Sequence, residues 1–325
     1  MARLKSDLHK LNRKTLTTWA VAAFLFTGLL AMRSDAQQQA QKTFSSPAEA
    51  CRALYSATKA NDETALLQLL GPDGKDVVSS GDSAEDMRHR ENFVQKYEEM
   101  SRLVKEPDGT VTIYIGARNW PYPIPIVHKG NAWFFDTAAG KQEILYRRIG
   151  FNETSAIHIC QELATAQKEY YTKENNMYAS KIYSDPGKQD GLYWNSENGQ
   201  PESPIGPLIA QAVVNNPSGN AVPFRGYYFH ILTKQGKNGP GGEKDYVTDG
   251  KMTGGSAFVA FPAEYRVSGV ITFIVGADGV VYERDLGKDT DKLARDMQEY
   301  NPDTHWVKAQ VDEPQTTSNT ATKKN

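Results

Sequence analysis

"NETSAIHICQELATAQKEYYTKENNMYAS", residues 152–180, decides how the second half of the chain is read. Asn152 is placed to cap a helix, and Glu153 puts a negative charge in the first turn, where unpaired N–H groups and the helix dipole favour it. Ala156, Cys160, Leu163, Gln167 and Tyr170 recur at helical spacing. They make a mostly apolar stripe that another layer must cover. The cover follows in sequence. After the loop "DPGKQDGLYW" (185–194) come "GYYFHILTK" (226–234), "DYVTDGK" (245–251), "SAFVAFP" (256–262), "VITFIVG" (270–276) and "VVYERDLG" (280–287). The last two runs meet at Ala277-Asp278-Gly279, a tight-turn signal between apolar segments. One helix followed by an antiparallel meander predicts an α+β layer over residues 151–310. A short capped helix is expected over 289–300, with Leu293 and Met297 facing inward.

Outward toward the amino terminus, "FSSPAEACRALYSATKANDETALLQLL" (44–70) opens with a Ser cap, Pro47 in the first turn and Glu49 behind it. Ala50, Ala53, Leu54 and Ala57 form its apolar stripe. Leu66, Leu67, Leu69 and Leu70 mark a second short helix, which "GPDG" ends. Residues 84–100 read as helical again, with Phe93 and Tyr97 on one face. Strands come next. "TVTIYIGA" (110–117) alternates Val111, Ile113 and Ile115 with Thr112 and Tyr114, as a half-buried strand does. "WPYPIPIVHKGNAWFFDTAAG" (120–140) holds a hairpin turn at Lys129-Gly130-Asn131. Its Pro121, Pro123 and Pro125 sit at alternate positions and remove backbone donors from one side only, so an edge strand is expected.

Helices before a curved antiparallel sheet, with "GNAWFFDTAAG" near its end, resemble the cone-shaped nuclear-transport-factor-2-like (NTF2-like) fold over residues 44–150. The segments "NETSAI", "GYYFHILT", "FVAFPAE" and "GVITFIVGADGVVY" resemble the globular head of type IV pilin-like proteins over about 151–287. This chain departs from the pilins in placing a whole domain before the helix. Across nearly the whole length, "LGPDGKDVVSSGD", "WPYPIPIV", "FDTAAGKQEILYRRIGFNE", "PGKQDGLYW", "GGEKDYVTDGKM" and "FPAEYRVSGVITFIVGADGVVYE" resemble an exported bacterial domain-of-unknown-function family of the DUF2950 type. That resemblance implies export and a two-part α+β body, and it implies no activity.

The termini set the compartment. Arg3, Lys5, Lys10, Arg13 and Lys14 precede the apolar stretch 19–32, and Ser34-Asp35-Ala36 offers a small-residue cleavage site. A signal peptide over 1–36, cut after Ala36, is expected, with an uncleaved anchor as the alternative. Residues 37–43 read as a linker and 311–325 as a disordered tail. A periplasmic or secreted protein with no later transmembrane segment follows. Without residues 1–36 the chain holds 31 basic against 37 acidic side chains. Such a mildly acidic body is a poor match for a polyphosphate backbone, so no nucleic-acid partner is expected. In an oxidising compartment Cys51 and Cys160 either bond to each other or stay as two buried thiols.

No catalytic or metal motif stands out. Gly254-Gly255-Ser256-Ala257-Phe258 lacks a nucleophile elbow's second flanking Gly, and Ser56-Ala57-Thr58-Lys59 lacks the companion elements of a penicillin-binding enzyme. "QGKNGPGGE" (235–243) reads as a flexible hairpin loop rather than a phosphate loop, and "DPGKQDG" has too few acids for calcium. His89, His128, His158, His230 and His305 are not at zinc-ligand spacing. No cofactor and no metal are expected. Trp120, Tyr122 and Trp133, on adjacent strands, either line a pocket for an apolar or peptide ligand or form the core between sheet and helices. Tyr193, Trp194, Tyr227 and Tyr228 form a second aromatic group, expected on the outer face of the second half, where it either contacts a partner or covers the helix. A non-catalytic binding or assembly module of the cell envelope is the expected function, with an envelope protein or a small apolar or peptide ligand as partner. The alternative is a periplasmic hydrolase or isomerase using Asp136 or His128 in the first domain's cavity.

Overall fold

In the computed structural model, which describes residues 41–173, 176–196, 202–214 and 221–310, the first helix begins where its caps put it. The Ser46 hydroxyl accepts the Glu49 N–H. Glu49 in turn accepts from the Ser45 N–H and hydroxyl at 3.0 and 2.7 Å. This reciprocal cap, with Pro47 behind it, starts α1 (Pro47–Lys59). Asp62 caps α2 (Glu63–Leu70), which stops at Gly71, a residue with φ +74° that a side chain would strain. A short α3 (Lys75–Val78) leads to α4 (Ser83–Glu99), whose first N–H groups are held by Asp82. The expected linker is tied down at its end: Gln41 Nε2 donates to the Leu69 and Phe135 carbonyls at 2.9 and 2.7 Å.

These helices cover an antiparallel sheet of β1 (Ser101–Lys105), β2 (Val111–Ile115), β3 (Trp120–Pro121), β4 (Ile126–Lys129) and β5 (Ala132–Phe135), ordered β1-β2-β4-β5 with β3 beside β2. Val111, Ile113 and Ile115 point into a core with Leu54, Leu66, Leu69 and Phe135, as the alternation predicts. The proline segment is an edge only in part. Over residues 120–125 it has a strand on one side, where the Tyr122 N–H donates to Ile113 O at 2.7 Å. Its other side faces no strand: Pro121 O accepts from Arg147 Nη1 at 2.7 Å and Pro125 O from the Asp136 N–H at 2.9 Å. From Ile126 the chain lies between β2 and β5, and there the edge expectation is corrected.

The helix that Asn152 was expected to start begins fifteen residues earlier, as α5 (Thr137–Lys173). Asp136 caps it, accepting the Ala139 N–H at 3.0 Å, and a Glu143–Arg147 pair at 2.8 Å supports its first turns. The helix runs unbroken through residues 150 and 151 and carries the chain from one core to the next. Asn152 is buried and donates to the Ser268 carbonyl at 2.8 Å, while Glu153 Oε1 accepts the Val270 and Ile271 N–H groups. Both residues therefore serve the second sheet rather than a helix start.

The second half holds α6 (Pro207–Gln211), β6 (Tyr227–Leu232), β7 (Lys234–Gln235), β8 (Lys244–Asp245), β9 (Val247–Thr248), β10 (Lys251–Met252), β11 (Ala257–Pro262), β12 (Thr272–Gly276), β13 (Val281–Arg284), α7 (Thr290–Asp296), β14 (Glu299–Tyr300) and β15 (Val307–Lys308). Its main sheet is antiparallel in the order β15-β13-β12-β11-β6, with Gly279 at φ +79° in the expected turn. One face packs Phe229, Phe258 and Phe273 against the Ile157, Cys160 and Leu163 side of α5. The other packs Val259, Phe261 and Ile274 against Ala294 and Tyr300. All six residues of β11 are buried, so this sheet is covered on both faces and not by one helix alone. α7 supplies Ala294 to that cover, whereas Leu293 is exposed, which corrects its expected inward position. The Gly-rich loop is a hairpin as expected but is pinned: buried Gln235 donates to the Pro240 and Gly242 carbonyls at 2.9 and 2.6 Å.

Of the two alternatives for the cysteines, the structure has the two buried thiols. Cys51 and Cys160 are both free and buried, the first in the core beneath α1 and the second beneath α5. Two thiols sunk in separate cores have no geometry for a bond. The expected signal peptide and cleavage site, and the tail over 311–325, lie outside the described residues. No helix among the described residues is long and apolar enough to cross a membrane.

Candidate functional site

The first half encloses a half-open cleft of about 380 Å³, between α4 and the exposed flank of β3. Its floor is apolar because the stripes of α1 and α2 and the inward face of β2 converge there: Leu54, Leu66, Leu70, Ile115 and Ile124 line it. Two of the three expected ligand residues reach it. Trp120 and Tyr122 are two apart on an extended segment and so face the same way. Trp120 is 40% exposed at the mouth, where Lys96 Nζ and the Arg147 guanidinium stand 5.8 and 5.1 Å from its ring centroid. Tyr122 lies deeper, edge-on to Phe93 at 5.4 Å.

Trp133 does not join them. It packs against His128 at 4.7 Å and pairs through its backbone with Phe44, away from the cleft. The residues the cleft does use, and which sequence reasoning passed over, come from α4. Asp86, His89, Arg90, Phe93 and Lys96 all line it. Their spacing of three and four was legible as one helix face, but only Phe93 and Tyr97 were read from it. Asp86 is buried, and its oxygens accept from the Ser79 hydroxyl and the Ser80 N–H. Those hydrogen bonds, from Ser80 first, hold its carboxyl below the ordinary range. It is a spent carboxylate, not a poised acid. His128 is exposed and Asp136 caps α5, so neither residue of the hydrolase or isomerase alternative lines the cleft.

A second hollow of about 640 Å³ lies beside β6, lined by Ile182, Tyr183, Val214, Ile231, His230 and Gln298 among others. Its ionised groups are already paired, Lys181 to Asp185 at 2.6 Å. Those lysine pairings, with Lys188 at 3.1 Å, also fill the "DPGKQDG" carboxylates that a cation would need. His230 is buried, and desolvation, with Arg295 nearby, pushes its pKa below 6.5. The fold thus favours neutral imidazole, while the unfolded chain takes up a proton at the ordinary value. Stability should be full above about pH 6.5 and fall as pH drops below it. Urea midpoints at pH 7.5 and 5.0 test this; a His230→Gln chain should lose part of the difference, and an unchanged difference would count against the assignment.

The second aromatic group is dispersed. Tyr227 is fully buried in the α5 core, and Tyr228 faces the opposite side of the sheet under Arg295. Among the described residues no three His, Cys, Asp or Glu side chains gather where they would hold a metal ion.

Two five-stranded antiparallel sheets, each backed by helices and joined by one long helix, with two smaller sheets of two and three strands in the second half, define an α+β protein. The chain belongs to the family described as "Protein of unknown function (DUF2950)", whose model matches residues 41–309. No curated protein and no solved structure matches it.

Proposed function

We propose that this chain is an exported, non-catalytic binding module of the cell envelope, which holds a small, largely apolar ligand or peptide in the cleft of its first half. One observation carries the reading: an apolar-floored hollow of about 380 Å³ with an exposed Trp120 at its mouth. That volume is in the lower range of ligand sites, and filling the hollow with side chains would have been the cheaper way to stabilise the domain. The NTF2-like plan read from the sequence suits such a hollow, since helices laid over a curved sheet leave space between the layers. The charged start of the chain, its apolar stretch and its small-residue site support export.

The chain purified from an envelope fraction and examined by native mass spectrometry should carry a stoichiometric small molecule or peptide. Val77→Trp, which places an indole where a half-buried Val77 lines the hollow, should come through empty with its fold intact by circular dichroism. A wild-type chain that carries nothing, or a variant equally loaded, would defeat the proposal.

A further inference from the structure

The polar groups of the cleft say what the apolar ligand must carry at its end. This step rests on the cleft being a ligand site, as proposed above. Two of its polar groups, at Asp86 and Thr58, are already used. Asp86 is held by Ser79 and Ser80, and the Thr58 hydroxyl donates to Leu54 O at 2.8 Å. Lys96 and Tyr122 are not. Among the described residues Lys96 makes no ion pair, and its ammonium stands over the Trp120 ring; the Glu99 carboxylate, close to the Lys96 stem at Gly116, makes no ion pair with it. Arg90 gives two N–H groups to neutral acceptors, Val78 O and Asn61 Oδ1, and its charge helps to hold the Asp86 carboxyl down. The Tyr122 hydroxyl makes no hydrogen bond among the described residues, and desolvation raises its pKa, so it keeps its proton.

These donors are gathered by the packing. Phe93 and Lys96, three apart, share a face of α4, and Trp120 and Tyr122 share a face of their strand. Lys96 over Trp120 and Phe93 against Tyr122 lock the two faces together. An ammonium without an ion pair and a phenol without a hydrogen bond therefore line the same cleft, over an apolar floor. A space of about 380 Å³ takes roughly a dozen heavy atoms at the ~30 Å³ each that a water occupies in the liquid. We infer that the cleft takes a small amphipathic carboxylate, its apolar body on Leu54, Leu66 and Ile124 and its carboxylate between Lys96 and Tyr122. A charge-assisted hydrogen bond made out of bulk water supplies the discrimination that an apolar floor lacks.

Calorimetric titration of the full chain with octanoate, 1-octanol and octylamine tests this with matched bodies and different heads. Octanoate should bind about tenfold more tightly than octanol, the size of one charge-assisted contact, and octylamine more weakly than either. Lys96→Gln should erase the preference for octanoate and leave octanol binding alone, while Lys96→Arg keeps it. Tyr122→Phe should weaken octanoate alone. Octanol binding as tightly as octanoate would overturn the carboxylate inference and leave the cleft reading standing. Failure of all three probes would sink both. A preference that survives in Lys96→Gln would remove Lys96 from the site.

Discussion

Gly140→Ala is expected to lower stability by about 2 kcal/mol, although the residue sits in a helix where alanine is the better former by ~1 kcal/mol. The reason is the close approach of α5 to the proline segment. A Cβ built at Gly140 would stand 2.5 Å from Ile124 Cγ1, 2.9 Å from its Cβ and 3.0 Å from its Cα. A side-chain tip can swing away, but a Cα cannot, and Ile124 is fully buried. Overpacking of this kind typically costs 1–3 kcal/mol, and here the backbone contact puts it at the upper end. The same helix supplies its own control. Gly150 has nothing within 4 Å of a built Cβ, so Gly150→Ala should stabilise by ~0.5–1 kcal/mol. Urea unfolding of the two single variants reads the difference in sign directly. Two glycines that respond alike would show that α5 does not press on Ile124. In an Ile124→Ala background, where the nearest contact is gone, the cost at 140 should shrink.

What could be read from the sequence was what neighbouring residues decide. Ser46 with Glu49, the alternation of Val111, Ile113 and Ile115, and the turn at Gly279 are short-range devices, and each stands where it was expected. The start of α5 was misread because its signal is ambiguous locally. Gly150 followed by Asn152 and Glu153 looks like a break and a cap, yet the partners of Asn152 and Glu153 lie 116 to 118 residues away. Only the assembled sheet makes those side chains worth burying in mid-helix. The same limit applied to the cleft. Trp120 and Tyr122 share a strand face, which spacing alone gives. Lys96 and Arg90 enter only once α4 is laid across the sheet, an angle set by how Phe93 meets Tyr122. Trp133 was grouped with them because its strand is near, but the β4–β5 register sets it opposite His128 and leaves it beside Phe44.

Gln167→Met should cost about 3 kcal/mol or more, because it orphans two backbone groups at once. Gln167 is fully buried, and its amide grips a single residue twelve positions on. Nε2 donates to Ala179 O at 2.8 Å and Oε1 accepts the Ala179 N–H at 2.9 Å. Ala179 is itself only 1% exposed, so water cannot replace either bond. Methionine keeps the length and adds apolar contact, yet it leaves a buried donor and a buried acceptor unmet, at ~1–3 kcal/mol apiece. The stripe position that looked like an imperfection in an apolar face is therefore what fixes the segment after the helix. Gln167→Glu separates the two bonds. Its carboxylate still accepts the Ala179 N–H but repels the Ala179 carbonyl, whereas its protonated form donates to that carbonyl and restores the grip. Burial raises the folded pKa of such a group above the unfolded ~4.3, so this variant loses stability as pH rises past that value and is least impaired in acid. Urea midpoints at pH 7 and pH 5 should show Gln167→Glu closing on the wild type at the lower pH while Gln167→Met stays low at both. A methionine variant within about 0.5 kcal/mol of wild type would mean that the grip on Ala179 contributes nothing the apolar contacts do not already supply.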